Sequence, residues 1–395
     1  MRLLVWVTLM FTFQSIFAQE EVKEENNHLQ NGVSEILESR DKVTVGGYGQ
    51  VDFNKDLSGN KRSNGELDVH RMVILFGYKF NTKTQFVTEI EFEHVSEVFV
   101  EQAFLNYSFS SLLNFRAGLL LIPMGIINEY HESSTFNGVE RPNLDNTIVP
   151  TTWREIGAGF TGRIQSASIK YQAYLLNGFN GFDGSAKFNG SGLRSGRQKG
   201  AESFISSPNF AGKVDYFGIK GVNLGLSAYL GKSQSELYDG IDKTDKGALQ
   251  TADSSVIGIS MIGFDTRYRH GAFQARGQYY YNSIANTQAY NEFTGSDLGS
   301  AMQGYYLEAG YNVFRFLSSA KTELIPFIRF EQYNTQQAVA AGTIPNKANS
   351  KTEYTFGLGW KVSEGAMFKL DFQLLGNEAT TIFEKQLNAG IGVAF

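Results

Sequence analysis

The chain has 395 residues, a formal net charge of -5 and no cysteine. The lack of cysteine excludes disulfides, thiolate metal sites and a cysteine nucleophile, and the acidic balance provides no basic surface for nucleic acid. Only 19% of the residues are charged, whereas 42 glycines, 32 phenylalanines and 19 tyrosines favour many short strands and turns over a soluble helical domain.

Residues 1–18 have the pattern of a secretory signal peptide, in which Arg2 precedes a long apolar run that ends at Ala18. A transmembrane anchor is the alternative for this run. No later stretch approaches the ~20 apolar residues that a spanning helix requires. Residues 19–42 are polar and acidic, and we expect them to form a loose or briefly helical periplasmic leader that buries little.

From Val43 to Phe395, apolar and polar residues alternate in about 16 segments, each near the ~10 residues of a tilted membrane strand. The segments are 43–53, 67–80, 82–94, 97–109, 114–121, 155–163, 167–177, 209–217, 221–231, 255–269, 271–282, 305–315, 323–334, 353–362, 366–376 and 385–395. A soluble β-sandwich also alternates, but it uses about 7 to 9 strands per domain. Because no linker interrupts the alternation, residues 43–395 are predicted to form one all-β, closed antiparallel transmembrane barrel.

The links between the predicted segments are alternately short and long, which is the asymmetry of outer-membrane barrels. An even number of strands places both chain ends at the short-turn, periplasmic side. The link HVSE (94–97) is short where a long loop is expected, so counts of 14 or 18 strands stay open beside 16.

The longest proline-rich link, residues 122–153, follows the fifth segment and is therefore predicted to be the third extracellular loop. We expect it to fold inward and to turn its acidic side chains toward the wall residues Arg71 and Arg116, which would create a transverse field across a narrow passage. The alternative is that its charges are solvated at the mouth. The predicted constriction residues are Arg71, Arg116, Glu129, His131, Glu132, Glu140, Arg141, Asp145, Arg154 and Arg163.

Two features carry a resemblance to known proteins. Phe395 ends an alternating strand, which resembles the signal by which outer-membrane barrels are recognised for assembly. The stretches RAGLLLIPMG, FNGVERPN and PTTWREIGAGFTG resemble the phosphate-selective porins (the O and P type porins). The matching positions, in order, are Gly118, Pro123, Gly125, Glu140, Arg141, Arg154 and Gly157.

This resemblance implies a barrel of 16 strands, a homotrimer in the Gram-negative outer membrane, and a pore that passes anions such as phosphate. It also implies contact with outer-membrane lipid, lipopolysaccharide and the barrel-assembly machinery. The predicted lumen faces carry acidic and basic residues in similar numbers, so the sequence shows no row of arginines without acidic residues nearby. We expect no cofactor and no metal ion, although Glu129, His131 and Glu132 lie close enough in sequence for a metal site to be weighed.

An enzymatic role is not expected. A barrel lipase needs Ser and His on its lipid-facing side, and His70 does share the outward parity of Met72, but no GxSxG-like turn accompanies it. A misjudged register or the end of the strand is the favoured explanation of this parity. The basic stretch SGLRSGRQKG (191–200) is predicted to be an exposed loop that touches lipopolysaccharide phosphates. We therefore predict an outer-membrane porin for small hydrophilic solutes or ions. The alternative is a non-conducting barrel that acts as an adhesin or scaffold through its long loops.

Overall fold

The computed structural model describes residues 31–59, 62–317 and 320–395. The predicted signal peptide and residues 19–30 of the leader lie outside this part of the chain. The strands are β1 (Val43–Asp56), β2 (Glu66–Lys79), β3 (Thr84–Glu93), β4 (Glu97–Ser110), β5 (Leu113–Leu121), β6 (Arg154–Ile164), β7 (Ile169–Leu176), β8 (Asn180–Phe182), β9 (Asn209–Ile219), β10 (Val222–Lys232), β11 (Gln234–Ser235), β12 (Gly258–His270), β13 (Phe273–Ala285), β14 (Ala301–Tyr311), β15 (Glu323–Ala338), β16 (Ser350–Ser363), β17 (Ala366–Asn377) and β18 (Thr380–Ala394).

All of these strands except β8 and β11, which pair with each other in loops, form one closed antiparallel barrel of 16 strands. The last strand pairs with the first in a register that places Tyr48 opposite Ala394 and Asp56 opposite Gln386. The predicted closed barrel and its strand count are thereby confirmed. Four α-helices accompany the strands in the described part: α1 (Gly32–Glu38), α2 (Leu144–Thr147), α3 (Lys246–Ser254) and α4 (Thr287–Thr294). No described helix combines the length and the apolar character that crossing a membrane demands.

The alternation predicted from the sequence separates a lipid face from a lumen face. On β17, Phe368 and Leu370 are exposed on the outside, whereas Lys369 and Asp371 are buried inside the barrel. Exposed aromatic side chains, including Phe80 and Phe109, lie at the short-turn end of the strands, where each contacts a neighbouring tyrosine ring. An apolar band with aromatic residues at its edge is the exterior of a barrel that spans a bilayer.

The lengths of the links between strands distinguish the periplasmic end of the barrel from the extracellular end. Most turns at one end have two to four residues, and we assign this end to the periplasm. The opposite, extracellular end carries the long links 122–153, 177–208, 233–257, 286–300 and 339–349. The third of the extracellular links is 122–153, and it folds into the barrel as predicted.

The leader differs from the expectation that it buries little. Helix α1 lies inside the barrel, where Val33 and Ile36 are buried against a luminal patch that includes Leu75. The side chain of Gln85 donates to the carbonyl of Ile36 at 2.7 Å, and the lysine at position 79 donates to the carbonyl of Ser39. Because Val33, Ile36 and Leu37 follow helical spacing, this short segment forms an apolar stripe in spite of its polar composition.

The terminal strand supports a prediction about assembly. Phe395 has an exposed ring, its N–H donates to the carbonyl of Gly47 at 2.9 Å, and its carbonyl accepts from the N–H of Gly47 at 2.8 Å. Phe395→Asp should therefore lower the amount of folded, heat-modifiable barrel in the outer membrane. Phe316→Asp, in an exposed periplasmic turn, is the matched control and should assemble normally. Equal yields of the two variants would contradict a role for Phe395 in assembly.

Candidate functional site: the inward-folded third loop

The loop 122–153 enters the barrel through a neck that one side chain holds closed. Asn128 donates through Nδ2 to the carbonyls of Ile122 (2.8 Å) and Trp153 (2.9 Å), and its Oδ1 accepts from the N–H of Trp153 (2.9 Å). Trp153 is buried and lies 4.8 Å from the ring of Tyr229 on the wall. The two ends of the loop are thereby fixed together beside the wall, and the residues between them extend into the lumen.

The first limb of the loop docks on strands β7 and β9. Lys213 is completely buried, and its Nζ lies 2.5 Å from the carbonyl of Gly125 and 3.4 Å from Glu129. Glu129 also lies 3.9 Å from Lys170. Lys213 reaches Asp265 of β12 at 3.2 Å as well. The carboxylate of Glu129 therefore holds the loop against a basic part of the wall.

The loop then passes to strand β3 and to helix α1. The Nε2 of His131 lies 3.3 Å from Glu89 on β3, and its Nδ1 lies 3.0 Å from the carbonyl of Asn128. Glu132 accepts a hydrogen bond of 2.6 Å from the N–H of Gly32 at the start of α1. His131 and Glu132 thus position the loop and the helix relative to each other.

The second limb, residues 137–148, is held mainly through its backbone by charged wall residues. The N–H of Val139 donates to Asp371 (2.6 Å), Lys369 donates to the carbonyl of Gly138 (2.9 Å), and Glu331 accepts from the N–H of Leu144 (3.0 Å). Most of the acidic side chains of this limb meet uncharged partners. Glu140 accepts from Asn54 (2.9 Å), and Asp145 accepts from Gln278 (2.6 Å) and Tyr280 (3.2 Å).

The acids of the loop were expected to face Arg71 and Arg116; Glu129 does line one cavity together with Arg116, but both arginines take their direct partners from the wall. Arg71 is paired with Glu91 of the neighbouring strand at 3.0 Å. Arg116 donates to Asn106 at 3.0 Å and lies over the ring of Phe104. Both arginines therefore have their partners on the barrel strands, and the acidic side chains of the loop instead attach the loop to the wall.

A cationic group lies on the extracellular side of the loop, and we call it the mouth cluster. Its members are Arg71, Arg141, Arg154, Arg194, Arg197 and Lys199. Three glutamates lie among them: Glu91, Glu93 and Glu101. Glu155 also interacts with Arg154 and Arg197, so the six cations outnumber these four carboxylates at the outer approach to the loop.

Several members of the mouth cluster are held by carbonyl oxygens and so keep their charge unneutralised. Arg141 donates to the carbonyl of His131 at 2.7 Å, and Arg197 donates to the carbonyl of Thr151 at 2.5 Å. Burial, and next the charge of Arg71, lower the pKa of Arg141 to about 10. Burial, and next the charges of Arg194 and Arg154, lower the pKa of Arg197 to about 9. Both guanidinium groups remain protonated at neutral pH, and an anion would relieve their repulsion.

The sequence predicted Arg71, Arg141 and Arg154 as constriction residues, but residues 191–200 were assigned to an exposed loop and their contribution was missed. In the structure Leu193 is buried, and Arg194 and Arg197 point toward the third loop. The one available signal was Leu193, an apolar residue in the middle of a polar stretch.

The other predicted residues, Arg116 and Arg163, lie on the periplasmic side of the loop. They line a cavity of about 370 Å³ between α1, Tyr130 of the loop and the wall. Lys170 and Arg267 also line this cavity. The predicted constriction residues therefore divide into mouth, loop and periplasmic groups and do not form one ring.

The docking of the first limb predicts a large local effect for Lys213→Met. Removing the ammonium leaves Glu129, Asp215 and Asp265 buried without their shared cation, and breaking a buried pair costs about 3–5 kcal/mol. Amide hydrogen exchange in residues 122–130 should accelerate strongly. Lys232→Met, at an exposed strand end, is the control and should leave this exchange unchanged. Unchanged exchange in the Lys213 variant would show that the ion pairs do not hold the loop.

Comparisons with known proteins agree with this architecture. No family model matches the chain. Among solved structures, the outer membrane channel DcaP of Acinetobacter baumannii superposes with a TM-score of 0.58 at 9% identity, over 89% of this chain and 97% of that one. The anion-selective porin of Comamonas acidovorans gives 0.55 at 14% identity, over 89% and 99%. OmpT of Vibrio cholerae in its trimer form gives 0.51 at 10% identity, over 89% and 99%.

These structures share the porin fold with this chain, and a closed barrel of this kind with a lipid-facing exterior is an outer-membrane protein. A sequence relative extends over most of the molecule. It is a protein of Aquifex aeolicus (strain VF5), described as uncharacterized, that is 31% identical over 348 residues, which is 86% of this chain and 77% of that protein. The chain therefore belongs to the family of this Aquifex aeolicus protein, as an outer-membrane barrel with the porin fold.

Proposed function

We propose that the protein is a porin, a water-filled diffusion channel for small hydrophilic solutes that favours anions. The observation that carries this proposal is the inward-folded third loop with the mouth cluster above it. A barrel of 16 strands is too wide for wall side chains to fill, and here a loop held by the Glu129–Lys213 and His131–Glu89 contacts narrows it. A rigid constriction suits a channel better than it suits an adhesin, whose binding surface lies in its external loops.

The preference for anions rests on the charge of the approach. A solute from outside meets the cations around Arg141 and Arg197 before it passes the loop. Low-dielectric walls concentrate the field of such a group and raise the local concentration of counter-ions. Arginine also matches the oxygens of carboxylates and phosphates in a bidentate geometry. Phosphate, which the resemblance to phosphate-selective porins implies, is therefore the first anion to test.

We extend the proposal to assembly. The trimer form of Vibrio cholerae OmpT makes a homotrimer the oligomer to expect. Outer-membrane lipid, lipopolysaccharide and the barrel-assembly machinery would be the partners of such a barrel, and its transport would need no catalysis.

Liposome swelling tests the proposal and the solute class together. Purified barrel should let vesicles swell in a neutral sugar, and faster in the anionic sugar acid of similar size than in the cationic amino sugar. Swelling should be slowest for solutes larger than the constriction. Vesicles with heat-unfolded protein are the control. No swelling in any solute would contradict a channel, and faster entry of the amino sugar would contradict the anion preference.

A further inference from the structure

Asp68, His70 and His94 meet at the extracellular rim of the barrel. Their potential ligand atoms all lie within 4.8 Å of one another. The Nδ1 of His94 is 2.6 Å from Oδ2 of Asp68, and the Nδ1 of His70 is 3.5 Å from the same oxygen. The two imidazole rings are 5.5 Å apart at an angle of 83°. Two nitrogens thus converge on one carboxylate.

A strand irregularity brings these residues together. The register of β1 and β2 shifts between Gln50, opposite Arg71, and Asp52, opposite Asp68. The extra residue in β2 places His70 on the side of Asp68 and Arg71, which corrects the outward parity expected from the sequence. His94 follows β3 with a φ of +50°, and its N–H lies 3.4 Å from the carbonyl of His70. The ring of His94 therefore lies beside Asp68 and His70, near the extracellular end of β2.

We propose that Asp68, His70 and His94 bind one divalent transition-metal ion, of which Zn²⁺ is the representative. Two imidazoles and one carboxylate are a ligand set that Zn²⁺ and Cu²⁺ accept, with a remaining position for water. All three side chains are partly solvent-exposed, at 22% to 48%, so an ion can reach them from outside. The site does not depend on whether the barrel conducts.

The surroundings set the conditions for binding. Glu93 and Glu97 add negative charge close to His94. Arg71 opposes binding, since its Nη2 lies 2.8 Å from Nε2 of His70. Coordination through Nδ1 of His70 requires a proton on Nε2, and Arg71 must then release this contact. Its ion pair with Glu91 at 3.0 Å gives the guanidinium a remaining partner.

The site that the sequence made conceivable, at Glu129, His131 and Glu132, lacks free ligands. His131 already contacts Glu89 and the carbonyl of Asn128 with its two nitrogens. Glu132 accepts from Gly32, and Glu129 is paired with lysines. The rim site differs because its side chains contact one another and remain partly exposed to solvent.

Isothermal titration of the folded, tag-free barrel with ZnCl₂ tests the proposal. We expect saturable binding at one site, weakened about tenfold or more in His70→Ala, His94→Ala and Asp68→Asn. His270→Ala, at an exposed periplasmic strand end, should bind as the unmodified protein does. Heat-modifiability on gels verifies that each variant is folded.

Electron paramagnetic resonance with Cu²⁺ provides a second readout that does not depend on affinity. The bound copper should show coupling to two imidazole nitrogens, reduced to one in either His→Ala variant. No saturable Zn²⁺ binding, or binding that is unchanged in all three variants, would overturn the proposal. A copper spectrum that is identical in the His94→Ala variant would overturn it as well.

Discussion

Replacing residues 131–146 by a short Gly-Ser linker is expected to raise single-channel conductance several-fold while the barrel stays folded. The excised part crosses the lumen and covers wall charges such as Asp371 and Glu331. Without it, water would hydrate these charges, and the passage would widen toward the full barrel. The strand pairing that closes the barrel does not involve the loop. Conductance would be recorded in planar bilayers in symmetrical KCl.

Shortening the exposed extracellular link at residues 341–345 is the matched control, because this link does not enter the lumen. It should leave conductance unchanged. If the two deletions had the same effect, the third loop would not determine the width of the passage.

Neutralising the mouth cluster should remove much of the anion preference. The double variant Arg141→Gln and Arg197→Gln takes away two of the positive charges of the mouth cluster without altering a strand. In a KCl gradient, the reversal potential should move from the chloride side toward the potassium side. The size of this shift should fall as ionic strength increases, because salt screens the field of the cluster.

Lys243→Gln removes one positive charge from an exposed extracellular link and serves as the control. Its reversal potential should equal that of the unmodified channel. A double variant that retains the original reversal potential would show that permeating ions do not sense the mouth cluster.

The barrel could be predicted from the sequence because a bilayer imposes one rule on every strand. Lipid requires apolar side chains on one face, and closure satisfies every backbone group. The residues of β17 and β18 alternate accordingly, so strand ends, links and the inward third loop followed from a local pattern.

The interior could not be predicted in the same way, since its contacts join residues that are distant in sequence. Lys213 meets Glu129, and Asp371 meets Val139, only after the barrel has closed. The burial of helix α1 in the lumen was missed although Val73 and Leu75 gave a signal. These are apolar residues on a lumen face, which implies that something covers them. The position of His70 was misjudged because one bulge reverses parity.

The most direct test of the channel is a planar-bilayer recording of the purified, heat-modifiable protein. We expect discrete conductance steps that scale with KCl concentration and a reversal potential on the chloride side in a gradient. Folded protein that inserts into the bilayer and produces no steps would contradict it, and would favour a non-conducting barrel that acts through its external loops.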